Sequence, residues 1–318
     1  MEKKDAYSVA QAIADLNVWK KVSRHNWALV PQMAEDPYVV VATTEADDSS
    51  VLGRLFLFPG LSVFRDFILT KRFNDYGVAL SPMDFDHYEV AAPKKGPVEI
   101  FRYRPGFVPV RPTSTEREFL AELLFECYGF MLRLESEPDL PLKYVEQNAL
   151  FARKEMAPGV WQDGPLHMPK DPVVPVNERV ALDRAQCEAV QSVPVYPKLV
   201  WEIDFFLVPD YRTVGQDARF LYVLAIADGA SQTRVGWFKL TVDGKPDGLK
   251  RLWEGHAQRV LDTMRAQGRV PGEIHVRSPR MARFLRPLGF HLPFKLVQHA
   301  QLPALDAVFK QAREQRTI

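Results

Sequence analysis

Two short stretches of the sequence place acidic and imidazole side chains close enough together to do chemistry. The first alternates polar and apolar residues, so its two carboxylates would lie on one side of a strand with an imidazole next door. The second lies in a proline-rich segment. Asp and His bind metals, but neither spacing selects a metal or a reaction, and an exposed polar edge is the simpler interpretation of the first. The residues are Asp84, Asp86 and His87 in the first stretch and Asp163, His167 and Asp171 in the second.

Sequence motifs that mark common enzyme classes are absent. The chain contains no Gly-rich phosphate loop, no His-Glu-x-x-His pair, no Cys-x-x-Cys and no Gly-x-Ser-x-Gly elbow. Their absence removes the easily recognised classes of enzyme. An enzyme with dispersed catalytic residues stays open.

Basic side chains are concentrated near the end of the chain. From residue 249 onward there are 13 Lys and Arg against 5 Asp and Glu, a net charge of +8, whereas the rest has 28 against 35, or −7. Positions 280, 283 and 286 are three apart, so they fall near one helix face that could contact phosphates. The alternative is a solvated basic face that complements the acidic remainder of the chain. The candidate nucleic-acid-binding residues are Arg277, Arg280, Arg283 and Arg286.

Composition sets the broad class. A chain of 318 residues with 47% hydrophobic and 25% charged residues is typical of about two globular domains. Cys127 and Cys187 both fall in amphipathic segments, which predicts buried thiols in a reducing compartment. The start of the chain lacks a secretory signal, and no window approaches the ~18 apolar residues of a membrane helix. We therefore predict a cytoplasmic protein with no membrane partner.

Hydrophobic periodicity predicts an α/β fold in two domains. Residues 1–157 read as an α+β domain whose longest helix follows a capping box formed by Thr113 and Glu116. Residues 158–194, rich in proline, are expected to form an irregular connector and a short helix. Residues 195–318 then follow the order β-β-β-α-β-α-β-α, in which an antiparallel meander precedes parallel strands with crossover helices.

The first two strands of the second domain carry motifs of a known superfamily. Trp201-Glu202-Ile203-Asp204 lies in the first strand, and Asp228-Gly229-Ala230-Ser231 ends the second. The return strand contains Gly236-Trp237. These motifs, together with the order of elements, resemble the RNase H-like catalytic core of integrases and transposases over roughly residues 195–318. The whole chain is also similar to uncharacterised bacterial proteins that share both halves, which implies no activity.

The resemblance implies a metal-dependent site of several carboxylates. In the family the first-strand Asp is catalytic, and two divalent metals such as Mg²⁺ stabilise the attacking and leaving oxygens of a phosphodiester. Asp204 stands at that position and is the implied catalytic and metal-binding residue. The fourth strand should end in a second Asp, but Arg277 and Ser278 stand there. A third carboxylate would come from Glu254 or Asp306, although each lies off its helix's apolar stripe and is expected on the surface.

Three functions remain open. The first is a non-catalytic RNase H-like protein that binds or scaffolds a partner, with nucleic acid as one such partner. The second is a divalent-metal-dependent nuclease or strand-transfer relative that uses Asp204 and needs Mg²⁺. The third is a structural protein that binds a protein partner. The missing fourth-strand carboxylate favours the first.

Overall fold

The structure is a computed structural model of the chain. The structure describes residues 5–20, 25–32, 34, 36–44, 50–72, 85–168, 182, 184–214, 217–245 and 248–314. Helices and mixed sheets confirm the predicted α/β class with two domains. The chain divides into two compact units: Met1–Phe67, Phe85–Arg104 and Pro109–Pro172 form the first, and Ile68–Asp84, Pro105–Val108 and Val173–Ile318 form the second.

The first unit is built on a seven-stranded sheet with the strand order β5-β4-β3-β2-β1-β6-β7. All neighbouring strands are antiparallel except β1 and β6, which are parallel. The elements are α1 (Ala6–Ala14), β1 (His25–Val30), β2 (Tyr38–Thr44), β3 (Val51–Pro59), α2 (Leu61–Arg72), β4 (His87–Pro93), β5 (Glu99–Tyr103), α3 (Ser114–Ser136), β6 (Ala149–Ala157) and β7 (Val160–His167). Helix α2 runs across the boundary between the two units.

Helix α3 packs its apolar stripe into the core of the first unit, together with α1. The predicted capping box is present: Thr113 Oγ1 accepts from the Glu116 amide at 3.3 Å, and the Thr113 amide donates to Glu116 Oε2 at 2.8 Å. This box satisfies backbone donors that the first helical turn leaves unpaired. Cys127 lies in the same stripe and is buried with a free thiol.

Strand β7 corrects the expectation that residues 158–194 form only an irregular connector and a short helix. Residues 160–167 instead pair with β6 in an antiparallel hairpin, with Phe151 opposite Pro165. Strand β7 lies at the edge of the sheet, where a proline without an N–H donor interrupts no second ladder. A short helix, α4 (Arg184–Gln191), follows in the second unit.

The second unit contains the five-stranded sheet with the order β10-β9-β8-β11-β12. Strands β8, β9 and β10 are antiparallel neighbours, whereas β11 runs parallel to both β8 and β12. The elements are β8 (Val195–Val214), β9 (Asp217–Asp228), β10 (Arg234–Leu240), α5 (Gly248–Gln267), β11 (Val270–Val276), α6 (Pro279–Leu285), β12 (Lys295–Gln298) and α7 (Pro303–Glu314). The predicted order β-β-β-α-β-α-β-α is confirmed.

The two faces of this sheet are covered by different helices. On one face, Trp201, Ile203 and Phe205 pack with α5 and α6 in a large core. On the other face, Phe206 and Val208 pack with α7. Because side chains alternate along a strand, the even-numbered residues of this part of β8 face α7. This alternation determines which polar side chains of the sheet can contact one another.

Short 3-10 turns adjoin two of these elements. One, over Asn17–Lys20, follows α1, which ends at Ala14. Another, over Arg286–Phe290, lies between α6 and β12. None of the helices within the described residues is long and apolar enough to cross a membrane.

Candidate functional site

Two carboxylates of β8 lie on the face of the sheet that α7 covers. Glu202 and Asp204 are separated by one residue, so both side chains point the same way, and both are buried. On the neighbouring strand β11, the pairing of Val276 with Ile203 sets Arg277 beside Asp204. Glu202, Asp204 and Arg277 therefore form a row of polar side chains on a sheet face that is otherwise apolar. We call it the polar row.

Asp204 is held in a nearly dry environment. Burial raises the pKa of its carboxyl to about 6, although the Phe205 amide, 2.9 Å from Oδ1, and the charge of Arg277 both act to lower it. The negative charge of Asp306 acts in the same direction as burial. A carboxyl with this pKa exchanges its proton near neutral pH, which is a property of functional carboxylates and also of structural ones.

Arg277 and Asp306 form an ion pair next to Asp204. The Arg277 Nη2 atom lies 2.6 Å from Asp306 Oδ1, and the two side chains are 38% and 52% exposed. Arg277 follows the last residue of β11, and Asp306 lies in the first turn of α7. The sequence separated these residues by 29 positions, and the fold brings them together, with the cation where the resemblance implied a carboxylate.

Glu202 closes the N-terminus of α7. Its Oε2 atom accepts a hydrogen bond of 2.9 Å from the amide of Leu305, the third residue of that helix. The first amides of a helix have no partner within the helix, and a carboxylate there also interacts favourably with the helix dipole. Glu202 thus fixes the helix that presents Asp306, so it positions one of the candidate site residues.

The polar row continues along β11 toward the edge of the sheet. Glu273 and His275 alternate with buried apolar residues that pack on the opposite face. His275 Nε2 lies 2.9 Å from Glu273 Oε2, and its ring centre lies 4.3 Å from that of His299. This region adds a carboxylate and imidazole side chains to the polar row.

The structure does not bring Glu254 to this site. Glu254 lies on α5 and is half-buried, and α5 packs against Trp201 and Ile203. Asp204 points from the other face of the same strand, so the sheet separates the two carboxylates. Asp228 is also occupied elsewhere: its Oδ1 atom accepts from the amides of Ala230 and Ser231, at 3.0 Å each, which is turn chemistry.

A multinuclear metal centre needs several ligands close together. Among the residues that the structure describes, no group of three or more His, Cys, Asp or Glu side chains could hold a metal ion. Asp204 and Asp306 share a face, but Arg277 is paired with Asp306. A guanidinium in that position opposes the binding of a dication by electrostatic repulsion.

The four arginines predicted to bind nucleic acid do not form one exposed row. Arg280 is buried, only 6% exposed, and its guanidinium lies 5.3 Å from the centre of the Trp253 ring. The expectation that Arg280 shares an exposed face with the others is therefore corrected. Arg283 is half-buried in the last turn of α6, whereas Arg286 follows that helix and is exposed.

The structure describes part of each of the two Asp- and His-containing stretches of the sequence. His87 is buried, with Nδ1 2.9 Å from the carbonyl of Phe85 and its ring stacked 4.4 Å from that of Tyr103, so it is not on an exposed edge. Asp163 forms an ion pair of 2.7 Å with Arg133. His167 ends β7. Asp84 and Asp171 lie outside the described residues.

Sequence reasoning missed two residues that the structure makes prominent. Glu202 is the first: it lies in the first-strand motif, and its two-residue spacing from Asp204 indicates a shared face of the strand. Phe290 is the second residue. It is 81% exposed at the end of a short 3-10 turn, and no periodic pattern marks it.

Comparisons with known proteins match one region of the chain and assign it no function. A family model described as "Domain of unknown function (DUF6930)" matches residues 186–312, which lie within the second unit. No curated protein and no solved structure matches the chain. The matched range includes Asp204, Arg277 and Asp306, so the polar row lies inside the region that the family model recognises.

Proposed function

We propose that the second unit is an RNase H-like domain that binds nucleic acid without cleaving it. The order of helices and strands supports this proposal, because it is the order of that fold. The position of Asp204 on the central strand β8 supports it as well, since that strand carries the first catalytic Asp in the integrase and transposase superfamily. Fold alone does not establish an activity, so the functional part rests on the site.

One observation carries the non-catalytic part of the proposal. The Arg277 guanidinium, paired with Asp306 at 2.6 Å, stands beside Asp204 at the end of β11. A two-metal mechanism requires carboxylate oxygens at this place to hold the cations. Here the positive charge comes from the Arg277 side chain, and its ion pair neutralises the carboxylate of Asp306.

Charge supports nucleic acid as the partner. Residues 249–318 carry a net charge of +8, and the basic side chains of Arg265, Arg286, Lys295 and Lys310 are exposed. Phosphate contacts made by such side chains provide most of the affinity in binding that does not depend on sequence.

The test is fluorescence anisotropy of labelled single- and double-stranded DNA and RNA across a salt series, followed by a cleavage assay with Mg²⁺ or Mn²⁺. We expect binding that weakens steeply as salt rises, with a slope that reports the number of phosphate contacts. We expect no cleavage. An absence of binding at low salt would overturn the nucleic-acid proposal and direct the search to protein partners.

A nuclease that uses Asp204 is the second candidate. It is favoured by the placement of Asp204 and Asp306 on one face, close enough for the charge of Asp306 to raise the pKa of Asp204. Cleavage that requires a divalent cation and is lost in Asp204→Asn would establish this candidate and refute the non-catalytic proposal. The matched control is Asp262→Asn, which changes an exposed aspartate of α5.

A further inference from the structure

The most exposed large apolar side chain in the described residues is an aromatic one. Phe290 is 81% exposed, whereas the other exposed large hydrophobic residues range from 39% to 60%. Single exposed apolar residues are common on protein surfaces, so exposure alone carries no function. Phe290 differs from such residues in how its backbone is held and in the residues that precede it.

The backbone around Phe290 is fixed by buried neighbours. Leu288 and Leu292 lie on either side of it, 0% and 3% exposed, and the amides of His291 and Leu292 both donate to the carbonyl of Leu288 at 2.9 Å. The side chain of Gln191, on α4, donates to the carbonyl of His291 at 3.1 Å. The ring is therefore presented from an anchored turn, which lowers the entropic cost of using it in binding.

Two arginines precede Phe290 in the sequence, and one of them lies in the same 3-10 turn. Arg283 lies in the last turn of α6, and Arg286 is the exposed residue that begins the 3-10 segment Arg286–Phe290. An exposed aromatic ring in a segment that also carries arginines is a combination used to bind single-stranded nucleic acid, in which bases stack on the ring and cations contact the phosphates. Duplex bases are already stacked and offer no free face to such a ring.

From this arrangement we infer that Phe290 is a stacking platform for an unpaired base, and that Arg283 and Arg286 contact the adjoining phosphates. The partner of the second unit is then single-stranded nucleic acid. This inference rests on the proposed function, because it names the class of nucleic acid that the unit binds.

The experiment measures anisotropy of labelled oligothymidylate and of a matched duplex with the full chain. Phe290→Ala should weaken single-strand binding by roughly tenfold or more, with the salt slope unchanged because phosphate contacts remain. Duplex affinity should change little. Leu207→Ala, which removes another exposed apolar side chain of the same unit, is the matched control and should bind like the wild type.

A direct readout of stacking comes from Phe290→Trp. This variant should keep single-strand affinity, and the added emission, measured against the wild type with its own 6 tryptophans, should be quenched by unlabelled oligothymidylate. Wild-type binding that Phe290→Ala leaves intact, or an equal loss for duplex, would refute the platform while the proposed function stands. Failure of the wild type to bind any nucleic acid would overturn both.

Discussion

At the scale of single residues, the buried carboxylate of Asp204 gives the most direct link between structure and a measurable property. Burial raises its pKa to about 6, so the folded state binds this proton more tightly than the unfolded state does. The stability associated with the protonated form is therefore present at low pH and is lost as pH rises through about 6. At neutral pH an ionised Asp204 opposes folding.

The neutral variant Asp204→Asn should consequently be more stable than the wild type at pH 7.5. A shift of this size corresponds to a gain of about 1–3 kcal/mol in the free energy of unfolding, and the gain should disappear below about pH 4, where the wild-type carboxyl is neutral. Denaturant unfolding at the two pH values measures it. Asp262→Asn, on the exposed side of α5, should show no such gain. A loss of stability in Asp204→Asn at pH 7.5 would mean that Arg277 outweighs burial.

At the scale of elements, the contact between β8 and α7 decides whether the site can form. The Leu305 amide has a buried acceptor in Glu202, and Glu202→Ala would leave that amide without its partner. We expect a loss of about 2 kcal/mol in the free energy of unfolding, and a smaller loss for Glu202→Gln, which keeps an acceptor oxygen. Thermal or denaturant unfolding measures both.

The control for this helix cap is a glutamate on the other face of the same sheet. Glu254→Ala removes a half-buried carboxylate from α5 without removing a helix cap, so its effect should be below about 1 kcal/mol. Equal losses in Glu202→Ala and Glu254→Ala would contradict the role assigned to Glu202.

The helices and strands could be predicted from the sequence more fully than the tertiary contacts between them. The order of strands and helices in the second unit followed from local periodicity, and the Thr113–Glu116 capping box from residue types alone. Strand β7 was not predicted because the prolines in and around it favour an irregular segment. The place of β7 at the edge of the sheet tolerates Pro165 within the strand. The Arg277–Asp306 pair depends on tertiary packing, which no local pattern encodes.

The burial of the Arg280 side chain also depends on tertiary packing and could not be predicted from the sequence. Its position on α6 was consistent with a solvated face, but a long side chain can lay its stem on apolar surface and place its guanidinium over an aromatic ring. The ring is that of Trp253, on a different helix. Spacing within α6 could not reveal this contact.

At the scale of the whole molecule, the second unit is not continuous in sequence. Pro105–Val108 belongs to it, although the flanking segments belong to the first unit. The Val108 amide donates to the carbonyl of Ala218 at 2.9 Å, and the Phe220 amide donates to that of Gly106 at 3.0 Å. Phe107 joins the core of the second unit. This short segment extends the β9 ladder beyond the region that the family model matches.

The stability of the second unit should therefore depend on Phe107. This residue lies 79 positions before residue 186, where the match to the family model begins. Phe107 is 9% exposed, and Phe107→Ala removes a ring from a packed core, which should lower the free energy of unfolding by about 3 kcal/mol. Amide hydrogen exchange resolves where the loss occurs. We expect faster exchange across β8 and β9, beginning with the amide of Phe220, and unchanged protection in β2 and β3 of the first unit.

The control is Phe290→Ala, at an exposed site, which should leave exchange in β9 unaltered. A loss of protection confined to the first unit would show that Phe107 supports that unit instead, and would move the boundary between the two.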